Sequence, residues 1–234
     1  MHSLTPPRQA GGRAMCGACL RPKRTCICQW ITPVDNEVEV LILQHPLEVD
    51  NAKGSARLLH LCLSNSRLVT GEAFSEAALR RWLHAPFSAD GIAYETSASP
   101  LRQALLLYPD DIGPDSGVMV VPESCRHDLP ADPARVRLVI LDATWRKSRK
   151  QLYCNPLLQQ LPRLALRGTG ASHYRIRTAH RKDQLSTFEA TCQALVQLEG
   201  AGERYQPMLA AFDGFVEQQI GYGFAARVIG EEEK

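Results

Sequence analysis

"VRLVILDATWRKSRKQL", residues 136–152, passes from a leucine- and β-branched-rich run into a basic, helix-prone stretch through a single acid, Asp142. A short run with so few polar positions fits a strand covered on both faces, and the segment after it has the composition of a helix. Strand exits of this kind are where open α/β sheets bind their ligands. The placement of Asp142 therefore bears on both fold and function.

Outward from this stretch the same alternation recurs. "VEVLILQHP" (38–46), "RLVT" (67–70), "ALLLYP" (104–109), "VMVV" (118–121), "RLAL" (163–166) and "YRIR" (174–177) read as strands. "AKGSARLLHLCL" (52–63), "SEAALRRWLHA" (75–85) and "LSTFEATCQALVQLEG" (185–200) read as helices, the last with a Ser186/Glu189 capping box and Gly200 as C-cap. A final helix is expected over about 203–220, with Pro207 in its first turn or kinking it. Strands alternating with helices predict a mostly parallel sheet covered by helices on both faces.

Residues 1–14 are rich in Pro, Gly and Arg and are expected to be a disordered lead-in. Residues 15–30 hold a cysteine module, and 31–234 are expected to form the catalytic domain. The N-terminus has no apolar core of a secretory kind and no run reaches the roughly 20 apolar residues of a membrane span, so a cytoplasmic protein is expected. No P-loop occurs, and "GTGASH" (168–173) departs from the dinucleotide fingerprint after its second glycine.

Four of the eight cysteines lie in "CGACLRPKRTCIC" (16–28), spaced C-x2-C, six residues, then C-x-C. Four thiolates so close can close a tetrahedral shell, with Zn²⁺ as the default ion for Cys16, Cys19, Cys26 and Cys28. An iron-sulfur cluster and a redox thiol pair are the rivals. Cys62, Cys125, Cys154 and Cys192 are scattered singly and read as small apolar groups.

The formal net charge of +2 conceals a segregation: residues 135–182 carry twelve Lys or Arg against one acid, and residues 1–30 carry five basic residues and no acid. A polarised field of this kind suits a polyanionic partner. Within it, Asp142 can accept a proton or orient an ammonium group, or cap the helix that follows. Thr144 can donate to a carboxylate or phosphate, and Trp145 offers a flat face to a base or a sulfonium. Arg146, Lys147, Arg149 and Lys150 form either a phosphate-binding cluster or a solvated face. His45, at a strand end, reads as a structural histidine.

Together "LDATWRKSRK" (141–150), "LILQHPLE" (41–48), "LLLYPDD" (105–111), "LSTFEA" (185–190) and the cysteine module resemble the DTW-domain family, named for an Asp-x-Thr-Trp signature matched by Asp142, Thr144 and Trp145. The resemblance implies a SPOUT-like, knotted fold. It also implies a tRNA-uridine aminocarboxypropyltransferase that moves the 3-amino-3-carboxypropyl group of S-adenosylmethionine to uridine N3, releasing 5′-methylthioadenosine. By the same resemblance Asp142 is the catalytic base or cofactor anchor. Tyr108, Thr144, Trp145, Leu166, Leu185, Ser186 and Thr187 line the S-adenosylmethionine pocket, and the backbone amides at the Ser186 helix start suit its carboxylate. RNA contacts are assigned to Arg146, Lys147, Arg149, Lys150, Arg175 and Arg177, with structural zinc in the cysteine module and a monomer favoured. The rival functions are a SPOUT-type RNA methyltransferase and a zinc-dependent RNA-binding protein without catalysis.

Overall fold

The computed structural model describes residues 14–87, 102–109, 132–166 and 185–232, with side chains described as far as residue 222. Five strands form one parallel sheet: β1 Glu39–Gln44, β2 Ser66–Thr70, β3 Gln103–Leu107, β4 Val136–Asp142 and β5 Arg163–Leu164, in the order β2-β1-β4-β3-β5. β1 and β4 pair in register from Glu39↔Arg137 to Gln44↔Asp142, which brings both polar strand ends to one place. Every residue of β1 is buried, the apolar run 40–43 as expected of a strand sandwiched between two layers and Glu39 and Gln44 with it.

Alternate side chains of β1 enter two separate cores. Val40 and Ile42 face a core built with α1 (Ala56–Cys62), α5 (Thr187–Glu199) and α6 (Gly202–Glu232). Leu41 and Leu43 face a second core with α2 (Glu76–His84), α3 (Trp145–Cys154) and the single turn α4 (Pro156–Gln159). Helices cover both faces, as the alternation predicts. Ser186 and Glu189 form the capping box on α5, and Gly200 closes it with φ 67°, a left-handed conformation that only glycine adopts without cost.

Three expectations are revised. β5 shrinks to two residues, because among the described residues it pairs with the carboxyl end of β3 alone. α6 begins at Gly202 and runs 31 residues, so Pro207 lies in its second turn, not its first, without ending it. Thr144, not Asp142, is the N-cap of α3, since Asp142 is still held in the β-ladder. The strands expected at 118–121 and 174–177, the lead-in at 1–13, Cys125, Arg175 and Arg177 lie outside the described residues. Among the described residues no helix is long and apolar enough to cross a membrane.

The cysteine module shares the core of the sheet. Cys19 and Ile27 are buried in the same cluster as Val40 and Phe215, and Trp30 packs beside them. Trp30 Nε1 donates to Gln218 on α6 (2.5 Å), Gln218 donates to the Cys26 carbonyl (3.2 Å), and the Tyr222 hydroxyl donates to the Arg24 carbonyl (2.9 Å). A methyl group at Gly214 would overlap the Trp30 ring, so this close approach requires glycine.

Candidate active site and metal centre

Asp142 ends β4 with 5% of its surface exposed. Gln44, its in-register partner on β1, donates from Nε2 to Oδ2 at 3.0 Å, and the Thr187 hydroxyl at the start of α5 donates to Oδ1 at 2.8 Å. The Asp142 carbonyl accepts from the His45 amide at 3.0 Å. One carboxylate thus gathers the ends of β1, β4 and α5. Charge-assisted bonds of this type fix a carboxylate's direction more firmly than neutral pairs do.

The helix that opens two residues later carries the rest of the signature. Thr144 is exposed and its side chain makes no capping bond, so its hydroxyl is presented to solvent. Trp145 is 47% exposed and rests edge-on against Tyr108, with centroids 5.5 Å apart and an interplanar angle of 72°. Tyr108 is buried, which pushes its phenol above the ordinary value and keeps it protonated beside Ser148 Oγ at 3.3 Å. The indole is held at one edge with much of its surface uncovered, the arrangement a stacking platform needs.

The basic cluster divides into two kinds. Lys147 Nζ bonds the buried Glu48 at 2.9 Å, and Lys150 Nζ bonds Glu72 at 2.8 Å. Glu72 also accepts from His45 Nε2 at 2.9 Å. His45 Nδ1 accepts from the Leu47 amide at 3.1 Å, so its proton is on Nε2 and the ring is a satisfied structural group. Hydrogen bonds from Lys150 and His45 hold the Glu72 carboxyl below the ordinary glutamate value, and Glu72 in turn raises Lys150. These pairs clamp α3 to the loops after β1 and β2. Arg146 and Arg149 are exposed and have no ion pair among the described residues.

At α5 the Ser186 hydroxyl accepts from the Glu189 amide at 3.2 Å, and Glu189 accepts from the Ser186 amide at 2.9 Å. The capping box therefore consumes the Ser186 amide expected for a substrate carboxylate and leaves Thr187 and Phe188 as the first-turn donors. Leu185 and Leu166 are partly buried, and Leu166 packs against the core shared by α5 and α6.

Gln44, Glu48 and Glu72 were not singled out in the sequence. Gln44 carried a signal in principle: a polar residue closing the apolar run 40–43 at a buried strand end must find a partner. The two glutamates carried none, since their lysine partners are far away along the chain.

The Sγ atoms of Cys16, Cys19, Cys26 and Cys28 all lie within 4.8 Å of one another, with Cys16–Cys28 at 3.5 Å and Cys19–Cys26 at 3.7 Å. A tetrahedral ion with metal–sulfur bonds of about 2.3 Å sets its sulfurs about 3.8 Å apart, close to the two short pairs, so small side-chain shifts would close the quartet on such an ion. The C-x2-C turn is closed by Leu20 in the left-handed region (φ 57°), with its amide on the Cys16 carbonyl at 2.9 Å. The Cys19 and Ala18 amides pull the Cys16 thiol down to about 6, whereas burial and the neighbouring thiols push Cys28 up to about 12. Four thiolates together require a cation.

Fold and site define an open parallel α/β protein with a strand-end carboxylate, an aromatic platform beside it and a four-cysteine knuckle able to hold a metal ion. The DTW domain matches residues 13–220, and the chain belongs to the DTW-domain family. It is similar to proteins named tRNA-uridine aminocarboxypropyltransferase 2. With that of Drosophila melanogaster it shares 30% identity over 229 residues, covering 94% of this chain and 80% of the relative. With that of Mus musculus it shares 26% over 230 residues, covering 97% and 70%. With that of Macaca fascicularis it shares 25% over 230 residues, covering 97% and 70%. No solved structure matches the chain.

Proposed function

We propose that this chain transfers the aminocarboxypropyl group to a uridine of tRNA, with S-adenosylmethionine as donor and N3 as acceptor. Support comes from the relatives, which carry that activity in their names and align over nearly the whole chain. The observation that carries the reading at the level of residues is Asp142, fixed by Gln44 and Thr187 at a strand end beside the half-exposed Trp145.

The sulfonium donor supplies an electrophilic γ-carbon, and which of its three carbons reacts depends on orientation. Uridine N3 is a poor nucleophile while protonated. Asp142 takes that proton as the N3–carbon bond forms and the carbon–sulfur bond breaks, releasing 5′-methylthioadenosine. Its two fixed hydrogen bonds hold the carboxylate in place throughout. Thr144, Trp145 and Tyr108, with Leu166, Leu185, Ser186 and Thr187 across the sheet end, line the donor pocket. Arg146 and Arg149 take the RNA-binding role, as do Arg175 and Arg177. Lys147 and Lys150 act in position more than in contact, because each is already paired with a glutamate.

The fold reading extends to a SPOUT-like knot. The sheet order supports it: β5 lies at the edge beyond β3, whereas Thr187, which follows β5 in the chain, meets the end of β4, and β3 stands between those two strands in the sheet. The metal of the cysteine quartet is zinc in this reading, with a structural role, since all four ligand positions are filled by sulfur.

The test is a reaction of purified protein with unmodified tRNA and S-adenosylmethionine, followed by nucleoside mass spectrometry. Aminocarboxypropyluridine and 5′-methylthioadenosine should appear in equal amounts. Asp142→Asn should lower turnover about 10²-fold or more, the scale of a lost general base, with tRNA affinity retained. A methylated nucleoside with S-adenosylhomocysteine would replace this reading by a methyltransferase.

A further inference from the structure

We infer that the cysteine knuckle is a second tRNA-binding surface, in which Lys23 and Arg24 contact backbone phosphates away from the modified uridine. The inference rests on the proposed tRNA substrate and extends it to a part of the molecule that does no chemistry.

The first step is position. α5 starts beside Asp142, through Thr187, and ends at the opposite, amino end of the strands, where Glu199 accepts from the Glu37 and Val38 amides just before β1, both at 2.9 Å. α6 then returns. Phe212 stacks on Phe188, the second residue of α5, at 4.5 Å and 6°, which brings α6 level with the carboxyl ends of the strands at that point. At about 1.5 Å per residue, Gln218 and Tyr222 lie about 9 and 15 Å further along. These are the residues that hold the Cys26 and Arg24 carbonyls, so the knuckle stands at the same end of the sheet as Asp142.

A second set of contacts agrees. Arg21 donates to the Ala52 and Gly54 carbonyls at 2.8 and 2.7 Å, in the loop that follows β1. The same loop holds Asn51 on Glu48 at 2.8 Å, and Glu48 holds Lys147 of α3. Knuckle, loop and α3 are therefore one connected surface.

The second step is charge. The knuckle's cations are divided as those of α3 are. Arg21 holds the fold together, as does Arg57 of α1, which donates to the knuckle's Ala18 carbonyl at 2.7 Å. Lys23 and Arg24 are exposed, and among the described residues their side chains have neither an ion pair nor a hydrogen bond. The single turn Lys23–Thr25 that carries them is fixed beneath by Cys26 and by Tyr222. Lys23 and Arg24 on a held turn, and Arg146 and Arg149 on α3 at the same end of the sheet, present charge from two separate elements, none of the four having an ion pair among the described residues. A folded RNA supplies phosphates to two such elements at once, whereas a free nucleotide engages only one.

The test measures equilibrium binding of unmodified tRNA by the zinc-loaded full chain as a function of salt, without turnover. The Lys23→Gln, Arg24→Gln double variant should bind about tenfold or more weakly near 0.1 M salt, with the salt slope shallower by about 2. The charge-conserving Lys23→Arg, Arg24→Lys variant should bind as the wild type does. Affinity for S-adenosylmethionine and metal content should be unchanged in both. Wild-type affinity and slope in the glutamine variant overturn this inference alone, as does a loss of affinity with the slope unchanged. Failure of the wild type to bind tRNA overturns the proposed function itself.

Discussion

Asp142 gains its orientation from two donors that lie 98 and 45 residues away along the chain. Gln44→Leu would remove the Nε2 donor to Oδ2 while conserving most of the side-chain volume. A hydrogen bond to a charged acceptor is worth about 1.5–3 kcal/mol, and if that bond holds the reactive geometry, turnover should fall about tenfold or more. Single-turnover rates on saturating tRNA would show this, with donor affinity moving far less than rate. An unaltered rate would mean that the Gln44 bond is not what positions the carboxylate. Asp142 was legible in sequence because an acid alone among twelve basic residues is conspicuous, and the cysteines because their spacing is short-range information. Gln44, Glu48 and Glu72 were not, because each acquires its role only from a partner that folding delivers.

At the scale of elements, the clamp on α3 has a pH signature. Glu72 is held below its ordinary value of 4.5 by Lys150 and His45. A carboxyl depressed on folding adds stability that is fully present above 4.5 and is lost as pH falls through the lower, folded-state value. Carbon-detected titration should place Glu72 below free glutamate, and Lys150→Gln should move it upward. No upward movement would remove Lys150 from the clamp. α6 offers a paired test of packing. At Gly221 an added Cβ meets nothing within 4 Å, so Gly221→Ala should stabilise the chain by about 0.5–1 kcal/mol through helix propensity and chain entropy. At Gly214 the same propensity gain competes with overlap on the Trp30 ring, and overpacking costs about 1–3 kcal/mol, so Gly214→Ala should destabilise. Urea unfolding of both variants reads the two signs. Strands and helices were legible because burial on both faces leaves apolar runs and caps leave Ser, Glu and Gly at fixed offsets. The order β2-β1-β4-β3-β5 was not, since strand pairing is decided by tertiary contact. The brevity of β5 and the extension of α6 were hidden for the same reason.

For the whole molecule the decisive feature is that the cysteine knuckle and the sheet share one core. Ile27 and Cys19 are buried with Phe212, Phe215 and Val216 of α6, and Trp30 seats on Gly214. A knuckle on a flexible tether could lose its metal and leave the domain folded. Loss of an ion held by this quartet would reach further, because the sulfurs would have to take up protons in place of the cation and the turn that Leu20 closes in the left-handed region is itself unfavourable. Metal analysis of the purified chain should find about one zinc per chain. Stripping it with a chelator under mild denaturant should lower Tm by many degrees in a single transition, and zinc should restore it. Visible absorption with acid-labile sulfide would identify an iron-sulfur cluster in its place. Two separate transitions, with the upper one unmoved by chelation, would mean that the knuckle folds apart from the sheet. In that case its cations could not be held in fixed relation to Arg146 and Arg149, and the two-point grip on tRNA would lose its structural basis.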